Sequence, residues 1–241
     1  MNRFLFFGKT DQGLCRKRNE DTIIVNEANG YCLVADGIGG TAAGDIASRL
    51  FAETAQDIFS TTPDTEDMKY QSVQQTFIAA NDRILNYAEQ NPGCEGMGCT
   101  AELLILTNNR FILGHIGDSR TYRLRNGELK QLTTDHTLVQ EQLDQELITQ
   151  EEASHHSFKN VILRAVGIKK NPALDILRGK ILPGDLFLLC SDGLTDMVEN
   201  NIIKALLIAR TSIKDSVNHL IQEANTNGGK DNISVVMAEF V

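Results

Sequence analysis

The sequence lacks the patterns typical of disulfide-bonded and membrane-spanning proteins. Its five cysteines are odd in number and form no Cys-x-x-Cys pair, and Cys32 and Cys190 lie within apolar segments. This usage argues against a disulfide framework and favours buried thiols in a reducing cytoplasm. No stretch is long and apolar enough to span a membrane, and residues 4–7 are too few for the apolar region of a signal peptide. We therefore expect a soluble cytoplasmic protein.

An excess of positive charge is also missing. The chain has 23 Lys and Arg against 32 Asp and Glu, a formal net charge of -9. Nucleic acids and membrane surfaces attract clustered cations, so this charge argues against both as partners. The 241 residues are 41% hydrophobic, enough for a sizeable core, and show no internal repeat, low-complexity tract or linker. We therefore expect a single domain over residues 1–241 and a monomer.

Three common functional motifs are absent as well. No Gly-x-Ser-x-Gly segment indicates the nucleophile of a serine hydrolase. Residues 37–40 are glycine-rich and precede a predicted helix, but they lack the Gly-x-Gly-x-x-Gly spacing of a dinucleotide site. The Asp residues are dispersed along the chain instead of lying in one EF-hand loop. Any shared site must be assembled from residues that are distant in sequence.

Turn signals and hydrophobic periodicity predict groups of strands interrupted by pairs of helices. Predicted strands cover residues 23–25, 31–35, 101–107, 110–116, 121–125, 128–132, 174–179, 185–190 and 234–241. Predicted helices cover residues 42–59, 68–89, 199–209 and 213–225, and the polar segment 135–159 contains a helical turn or two. This order indicates an α+β fold, a four-layer αββα sandwich of two mainly antiparallel sheets flanked by helix pairs.

Four Asp residues, Asp36, Asp118, Asp192 and Asp231, stand at the ends of predicted strands. A single Asp in such a place is usually a turn or cap residue, but four of them indicate a shared site. Carboxylates gathered without matching Lys or Arg repel one another, and a hard divalent cation with oxygen ligands relieves that repulsion. Glycines after Asp36 let the backbone approach a ligand, so the carbonyl of Gly37 is a further candidate ligand.

Arg16 is the candidate for recognising an anionic substrate, because a guanidinium group binds phosphate oxygens through two parallel hydrogen bonds. The histidines His115, His136, His155 and His156 are possible acid–base groups. Of these, His136 is interpreted as a structural hydrogen-bonding residue, and the pair at 155 and 156 as exposed residues of the polar segment.

Eight short motifs follow one another along nearly the whole chain. They occupy residues 16–21, 34–40, 96–100, 114–120, 132–137, 163–167, 189–194 and 231–234. Each is weak by itself, but in this order they resemble the metal-dependent protein phosphatases, the type 2C Ser/Thr family, in its compact bacterial form. The resemblance implies the αββα sandwich and the hydrolysis of phosphoserine and phosphothreonine in proteins, the products of a Ser/Thr kinase.

The resemblance also implies a cleft with two Mn²⁺ or Mg²⁺ ions. Asp36 would bridge both ions and the carbonyl of Gly37 would bind one, while Asp192 and Asp231 would hold the other. A third, weaker ion would fall to Asp118 together with Asp192. A water shared by the two ions would become hydroxide near neutral pH and attack phosphorus without a phosphoenzyme.

Other residues would assist this centre. Arg16 would bind the phosphoryl oxygens and neutralise their charge, and Glu20 and Asp21, with Asn232, would orient metal-bound waters. The insertion at about residues 137–159 would be the flap that influences substrate access. One position departs from the family pattern: Thr41 stands where many relatives place a His that is proposed to protonate the leaving alkoxide.

Two other functions are compatible with these residues. One is a catalytically silent phosphopeptide-binding regulator on the same fold, which the substitution at Thr41 favours and the presence of Asp36, Asp192 and Asp231 disfavours. The other is a structural Ca²⁺ binder without a reaction. An activity assay that compares Mn²⁺ with Ca²⁺ separates this last function from a phosphatase.

Overall fold

The computed structural model describes residues 4–39, 43–154 and 156–241. Its strands are β1 Phe4–Asp11, β2 Thr22–Asn26, β3 Tyr31–Ala35, β4 Gly37–Ile38, β5 Gly98–Cys99, β6 Ala101–Leu106, β7 Arg110–Ile116, β8 Arg120–Arg125, β9 Glu128–Gln131, β10 Asp175–Lys180, β11 Leu186–Cys190 and β12 Ile233–Phe240. Its helices are α1 Gly44–Phe59, α2 Glu66–Gln90, α3 Leu138–Asp144, α4 Gln150–Ser154, α5 Asp192–Thr195, α6 Asn200–Ile208 and α7 Ile213–Thr226.

Two five-stranded sheets form the centre of the fold. The first has the order β1-β12-β11-β8-β9 and the second β10-β7-β6-β3-β2, and all the neighbouring strands of both sheets pair antiparallel. A separate pair, β4 with β5, lies beside them. No helix among the described residues is long and apolar enough to cross a bilayer.

Within the described residues, alternate side chains of the central strands supply three separate hydrophobic cores. In β12, Val236 and Ala238 pack between the sheets, while Val235 and Met237 pack against the α6 and α7 side of the first sheet. The outer face of the second sheet packs against α1 and α2 in the same way. Because side chains alternate across a strand and both faces are covered, such strands are apolar throughout. The predicted four-layer αββα fold is confirmed.

The first strand was not predicted from the sequence. β1 pairs with β12 along its whole length, from Phe4 opposite Phe240 to Asp11 opposite Ile233. Its aromatic residues reach two cores, since Phe6 packs between the sheets and Phe7 packs on the helix side. A strand that contributes apolar residues to both faces has no alternating pattern, so its sequence does not distinguish it from other apolar runs.

The other predicted elements lie within two residues of their observed ends. Thr65 caps α2 by accepting a hydrogen bond from Met68 N at 3.4 Å, which extends the helix two residues earlier than predicted. The predicted start of α1 at residue 42 falls outside the described residues. The polar segment contains α3 and α4, in agreement with the helical turns expected there.

Candidate metal centre

The four Asp residues meet at one end of the sandwich, and both sheets contribute to this cluster. Asp36 follows β3 and Asp118 follows β7 in the second sheet, whereas Asp192 follows β11 and Asp231 precedes β12 in the first. Asp21, just before β2, holds the two sheets together here. Its Oδ2 accepts hydrogen bonds from the hydroxyls of Ser191 at 2.9 Å and Ser234 at 2.6 Å.

A polar pocket of about 250 Å³ opens at this end, and we call it the metal pocket. All the predicted site residues except Asp21 and Asp118 line it, and these two lie buried beside it. The lining consists of Arg16, Glu20, Asp36, Gly37, Ile38, Gly39, Asn160, Ile162, Asp192, Asp231 and Asn232.

Burial and mutual repulsion make the carboxyl groups hard to ionise. Burial raises the pKa values of Asp36 and Asp192 well above the ordinary range, and the charges of Asp21, Asp118 and Asp231 add to the effect. The pKa of Asp118 rises to about 7, through burial first and then through the charge of Asp135. Carboxyl groups in such an arrangement need a compensating positive charge if all of them are to be ionised at neutral pH.

The hydrogen bonding of the cluster is incomplete in a way that suits cations. The Oδ1 atoms of Asp21, Asp118 and Asp192 are buried and accept no hydrogen bond in the described structure. An unpaired buried carboxylate oxygen is costly, and a hard divalent cation is the partner that oxygen ligands of this kind prefer. The donor set is entirely oxygen, and it therefore fits Mn²⁺ or Mg²⁺.

The described side chains do not enclose a metal ion by themselves. Within residues 4–39, 43–154 and 156–241, no group of three or more His, Cys, Asp and Glu side chains is arranged to hold one. Mg²⁺ and ions like it usually keep several waters and take only one or two carboxylates each. An open, water-rich centre shared among dispersed Asp residues is compatible with this observation.

Arg16 projects into the metal pocket from the loop between β1 and β2. Its Nη2 atom lies 2.5 Å from Asp231 Oδ2, and 55% of its side chain is exposed, so the guanidinium group remains accessible to a substrate. Burial alone would lower the pKa of Arg16, but the bond to Asp231 and the charges of Asp192 and Asp36 raise it. The guanidinium group is therefore a permanent cation beside the carboxylates.

Asn232 fixes the loop that carries Arg16. Its Nδ2 donates to the carbonyls of Gln12 and Arg18, both at 2.9 Å, and its Oδ1 accepts from Glu20 N at 2.9 Å. Burial raises the pKa of Glu20, and the charge of Asp45 adds to the rise. Asn232 thus uses both ends of its amide to join the last strand to the Arg16 loop.

Gly37 lies where a side chain cannot be placed. A Cβ atom there would come within 2.3 Å of the carbonyl oxygen of Gly44 and 2.6 Å of that of Glu20. The same holds at Gly193, where a Cβ would lie 2.0 Å from the carbonyl oxygen of Asn232. The glycines after Asp36 and Asp192 therefore let backbone segments pack closely around the metal pocket. Thr41 lies outside the described residues.

Backbone hydrogen bonds join the two ends of the insertion at its base. Leu138 N donates to Val161 O at 2.9 Å, and Leu163 N donates to His136 O at 2.8 Å. Lys159 Nζ lies 3.0 Å from Asp196 Oδ2, just beyond α5.

Two residues of the pocket lining, Asn160 and Ile162, come from this base and were missed by sequence reasoning. They follow the predicted end of the insertion, and no local signal marks them.

The described histidines lie outside the pocket lining. His115 is fully buried, bonded to Glu102 and to the carbonyl of Thr134 at 2.9 Å. His136 is also buried, as its predicted structural role requires. His156 is partly exposed, and residue 155 lies outside the described residues.

Comparison with known proteins places this geometry in a family. The model of the family described as "Protein phosphatase 2C" matches residues 16–235. The chain is 36% identical to the serine/threonine phosphatase stp of Listeria monocytogenes over 96% of this chain and 94% of that one. It is 38% identical to the serine/threonine protein phosphatase PstP of Mycobacterium tuberculosis, over 98% of this chain and 45% of that one.

Solved structures agree with these matches. The crystal structure of the catalytic domain of PstP in complex with two manganese ions superposes with a TM-score of 0.91 and 35% identity, covering 100% of both chains. The serine/threonine phosphatase of S. agalactiae superposes with a TM-score of 0.92 and 32% identity, covering 98% of this chain and 99% of that one.

Proposed function

This chain belongs to the protein phosphatase 2C family, and we propose that it is a metal-dependent phosphatase of phosphoserine and phosphothreonine in proteins. The observation that carries the proposal is the set of buried carboxylates with unpaired oxygens around a pocket that also contains an accessible Arg16. The first feature suits divalent cations and the second suits a phosphoryl group.

We propose that Asp36 and the carbonyl of Gly37, with Asp192 and Asp231, hold two Mn²⁺ or Mg²⁺ ions. Asp118 with Asp192 would hold a third, weaker ion. The raised pKa values and the unpaired oxygens of these carboxyl groups support the assignment. When bound, the cations supply a water of lowered pKa that attacks phosphorus directly, so no phosphoenzyme is needed.

The chain's own residues bind and orient the substrate. The guanidinium group of Arg16 binds phosphoryl oxygens and stabilises the charge that they carry in the transition state. Asp231 holds that group in place through its 2.5 Å contact. Asn232 holds the loop that carries Arg16, and Glu20 and Asp21 would orient metal-bound waters. The described lining contains no imidazole that could protonate the leaving group.

We further propose that residues 1–241 form one phosphatase domain in which residues 137–159 act as a flap. The hydrogen bonds at the base of this segment and the position of Asn160 and Ile162 in the pocket lining support this role. The substrates would be proteins phosphorylated by a Ser/Thr kinase, and the working state a monomer. The five cysteines carry free thiols, which supports a reducing cytoplasm as the location.

Release of phosphate from a phosphothreonine peptide tests the proposal. We expect release with Mn²⁺, none with a chelator, and loss of release in Asp192→Asn. Asp82→Asn is the matched control, since Asp82 is an exposed residue of α2 outside the pocket lining.

Mn²⁺ binding measured by calorimetry separates the outcomes. Binding without phosphate release by the wild type would favour the silent phosphopeptide-binding regulator. Unchanged release by Asp192→Asn would contradict the assigned site.

A further inference from the structure

Gly117, the residue before Asp118, is held by His136 through two hydrogen bonds. Gly117 N donates to His136 Nδ1 at 3.1 Å, and His136 N donates to Gly117 O at 2.7 Å. Gly117 has a φ of +114°, and a Cβ there would lie 2.5 Å from Thr100 Cβ. Gly117 therefore has a backbone conformation that other residues rarely adopt, and both its N–H and its carbonyl are bonded to His136.

The hydrogen bonds define the tautomer of His136. Because Gly117 N–H donates to the lone pair of Nδ1, the proton of the neutral ring is on Nε2, which lies 3.2 Å from Asp175 Oδ2. Arg164 Nη1 lies 3.2 Å from the same Nε2, but two donors cannot bond to each other. Arg164 therefore bonds to Asp175 Oδ1 at 3.3 Å.

The surroundings of His136 keep its ring neutral. Its side chain is 6% exposed, and the ring of His115 lies against it with centroids 4.5 Å apart. Burial and the positive charge of His115 lower the pKa of His136 to about 4, although Asp175 opposes this shift. The lone pair of Nδ1 is therefore available to Gly117 throughout the neutral range.

The Asp118 carboxylate is hydrogen-bonded to the backbone of Asp118 itself. Its Oδ1 is buried without a hydrogen-bond partner, so the direction of the side chain depends on the backbone on which it stands. We propose that His136 is a positioning residue, which sets the Gly117–Asp118 backbone and thereby the affinity of the ion held by Asp118. The inference rests on the proposed metal centre.

The same residue connects Asp118 to a second cavity. His136, Asp175 and Arg164 line a cavity of about 530 Å³, and Leu163, which also lines it, donates its N–H to the carbonyl of His136. Adjacent residues of the flap base line the two cavities, since Ile162 lines the metal pocket and Leu163 lines this one. Substitution of Asp175 should therefore also weaken the hydrogen bond between Gly117 N and His136 Nδ1, but less than loss of the imidazole does.

Two substitutions separate the functions of the two ring nitrogens. His136→Asn places an amide oxygen near the position of Nδ1, so it can still accept from Gly117 N. His136→Gln places its amide near Nε2, so it keeps the contact with Asp175 but loses the one with Gly117. His136→Leu loses both, and His219→Leu on the exposed face of α7 is the control.

The first readout is Mn²⁺ binding by calorimetry. We expect His136→Leu and His136→Gln to weaken only the weakest ion, by about 10-fold or more, as changes in residues that orient metal ligands generally do. His136→Asn should bind this ion nearly as the wild type does, and Asp118→Asn should lose it.

The second readout is hydrogen exchange of the Gly117 amide in the metal-free protein. Exchange should be faster in His136→Leu and His136→Gln than in His136→Asn, with melting temperature monitored as a control for folding. Wild-type exchange in His136→Leu, or an equal loss of ion affinity in all three variants, would overturn the inference. Neither readout requires phosphatase activity, so an inactive wild type would contradict the proposed function without contradicting this inference.

Discussion

Two buried acidic sites lie near the same end of the sandwich, and they differ in how their oxygens are paired. Glu102 is fully buried between the sheets, yet one oxygen bonds to His115 and the other to the hydroxyl of Thr121. Asp118 and Asp192 are similarly desolvated, but each has a buried oxygen without a partner. Burial alone therefore does not identify a functional acid.

The difference shows which buried acid already has all its partners within the chain. Burial opposes a charge on His115, but the interaction with Glu102 outweighs this and raises the pKa of His115 to about 9. Glu102 therefore has its positive partner within the chain. At Asp192 the charges that raise the pKa are other carboxylates, and Arg16 pairs directly with Asp231. The first site is a structural link between the sheets, and the second needs a ligand from outside the chain.

Removing one member of the internal pair should give the largest effect on stability. Glu102→Gln leaves His115 buried without its counter-charge, which should lower the free energy of unfolding by about 3–5 kcal/mol. Urea unfolding with chelator measures this loss. Calorimetry should at the same time show unchanged binding of the tighter Mn²⁺ ions. Normal stability combined with lost Mn²⁺ binding would reverse the roles that we assign to the two sites.

The Asp cluster should make the metal-free protein less stable as pH rises. The pKa of Asp118 is about 7 in the folded chain, above the ordinary value of an unfolded Asp, so the folded state holds its proton more tightly. Stability should therefore decrease from about pH 4 to pH 7, by up to about 4 kcal/mol for this group. Asp118→Asn should remove this part of the pH dependence, as unfolding at pH 5 and pH 8 with chelator would show.

Saturating Mn²⁺ is the control for this comparison, because bound cations should restore the stability of the wild type at pH 8. Identical pH dependence in the wild type and Asp118→Asn would show that folding does not raise the pKa of the Asp118 carboxyl group.

Loss of a shared metal ligand should lower activity and weaken the stabilisation by metal. Asp36→Asn should lower activity by more than about 100-fold, since 10- to 100-fold losses already follow from changing residues that only orient ligands. It should also blunt the rise in melting temperature that Mn²⁺ gives the wild type. Scanning calorimetry with and without Mn²⁺ tests this, again with Asp82→Asn as control. If Mn²⁺ raised the melting temperatures of Asp36→Asn and Asp82→Asn equally, Asp36 would not be a ligand of the metal centre.

The contact between the flap base and α5 should have the smallest effect. Lys159 and Asp196 are 45% and 34% exposed, and an exposed ion pair contributes only about 0.2–1 kcal/mol. Lys159→Ala should therefore change KM for a phosphopeptide by less than about fivefold, and added salt should reduce the difference. A change of 50-fold would mean that Lys159 contacts the substrate instead of only Asp196.

Much of the site could be predicted because its residues stand at the ends of local elements. Asp36 and Asp192 each follow an apolar strand and precede a glycine, so strand and turn signals mark them without knowledge of the fold. Asn160 could not be found in this way, because its place in the pocket lining follows from backbone hydrogen bonds between neighbouring residues of the flap base, which lie far apart in sequence. Nor could the pairing of Glu102 with His115 and Thr121, which joins three strands of two sheets.

The sequence by itself determined the alternation of strands and helices, the class of fold and the acidic ends that meet in the pocket, because hydrophobic periodicity and turn residues are local properties. Tertiary structure decided the rest: that β1 pairs with β12, that Asn232 holds the Arg16 loop, and that His136 holds Gly117. Some of these contacts join residues more than 200 positions apart, and no local pattern specifies any of them. Whether a buried acid is paired or left open for a ligand is therefore determined only when the two sheets pack together.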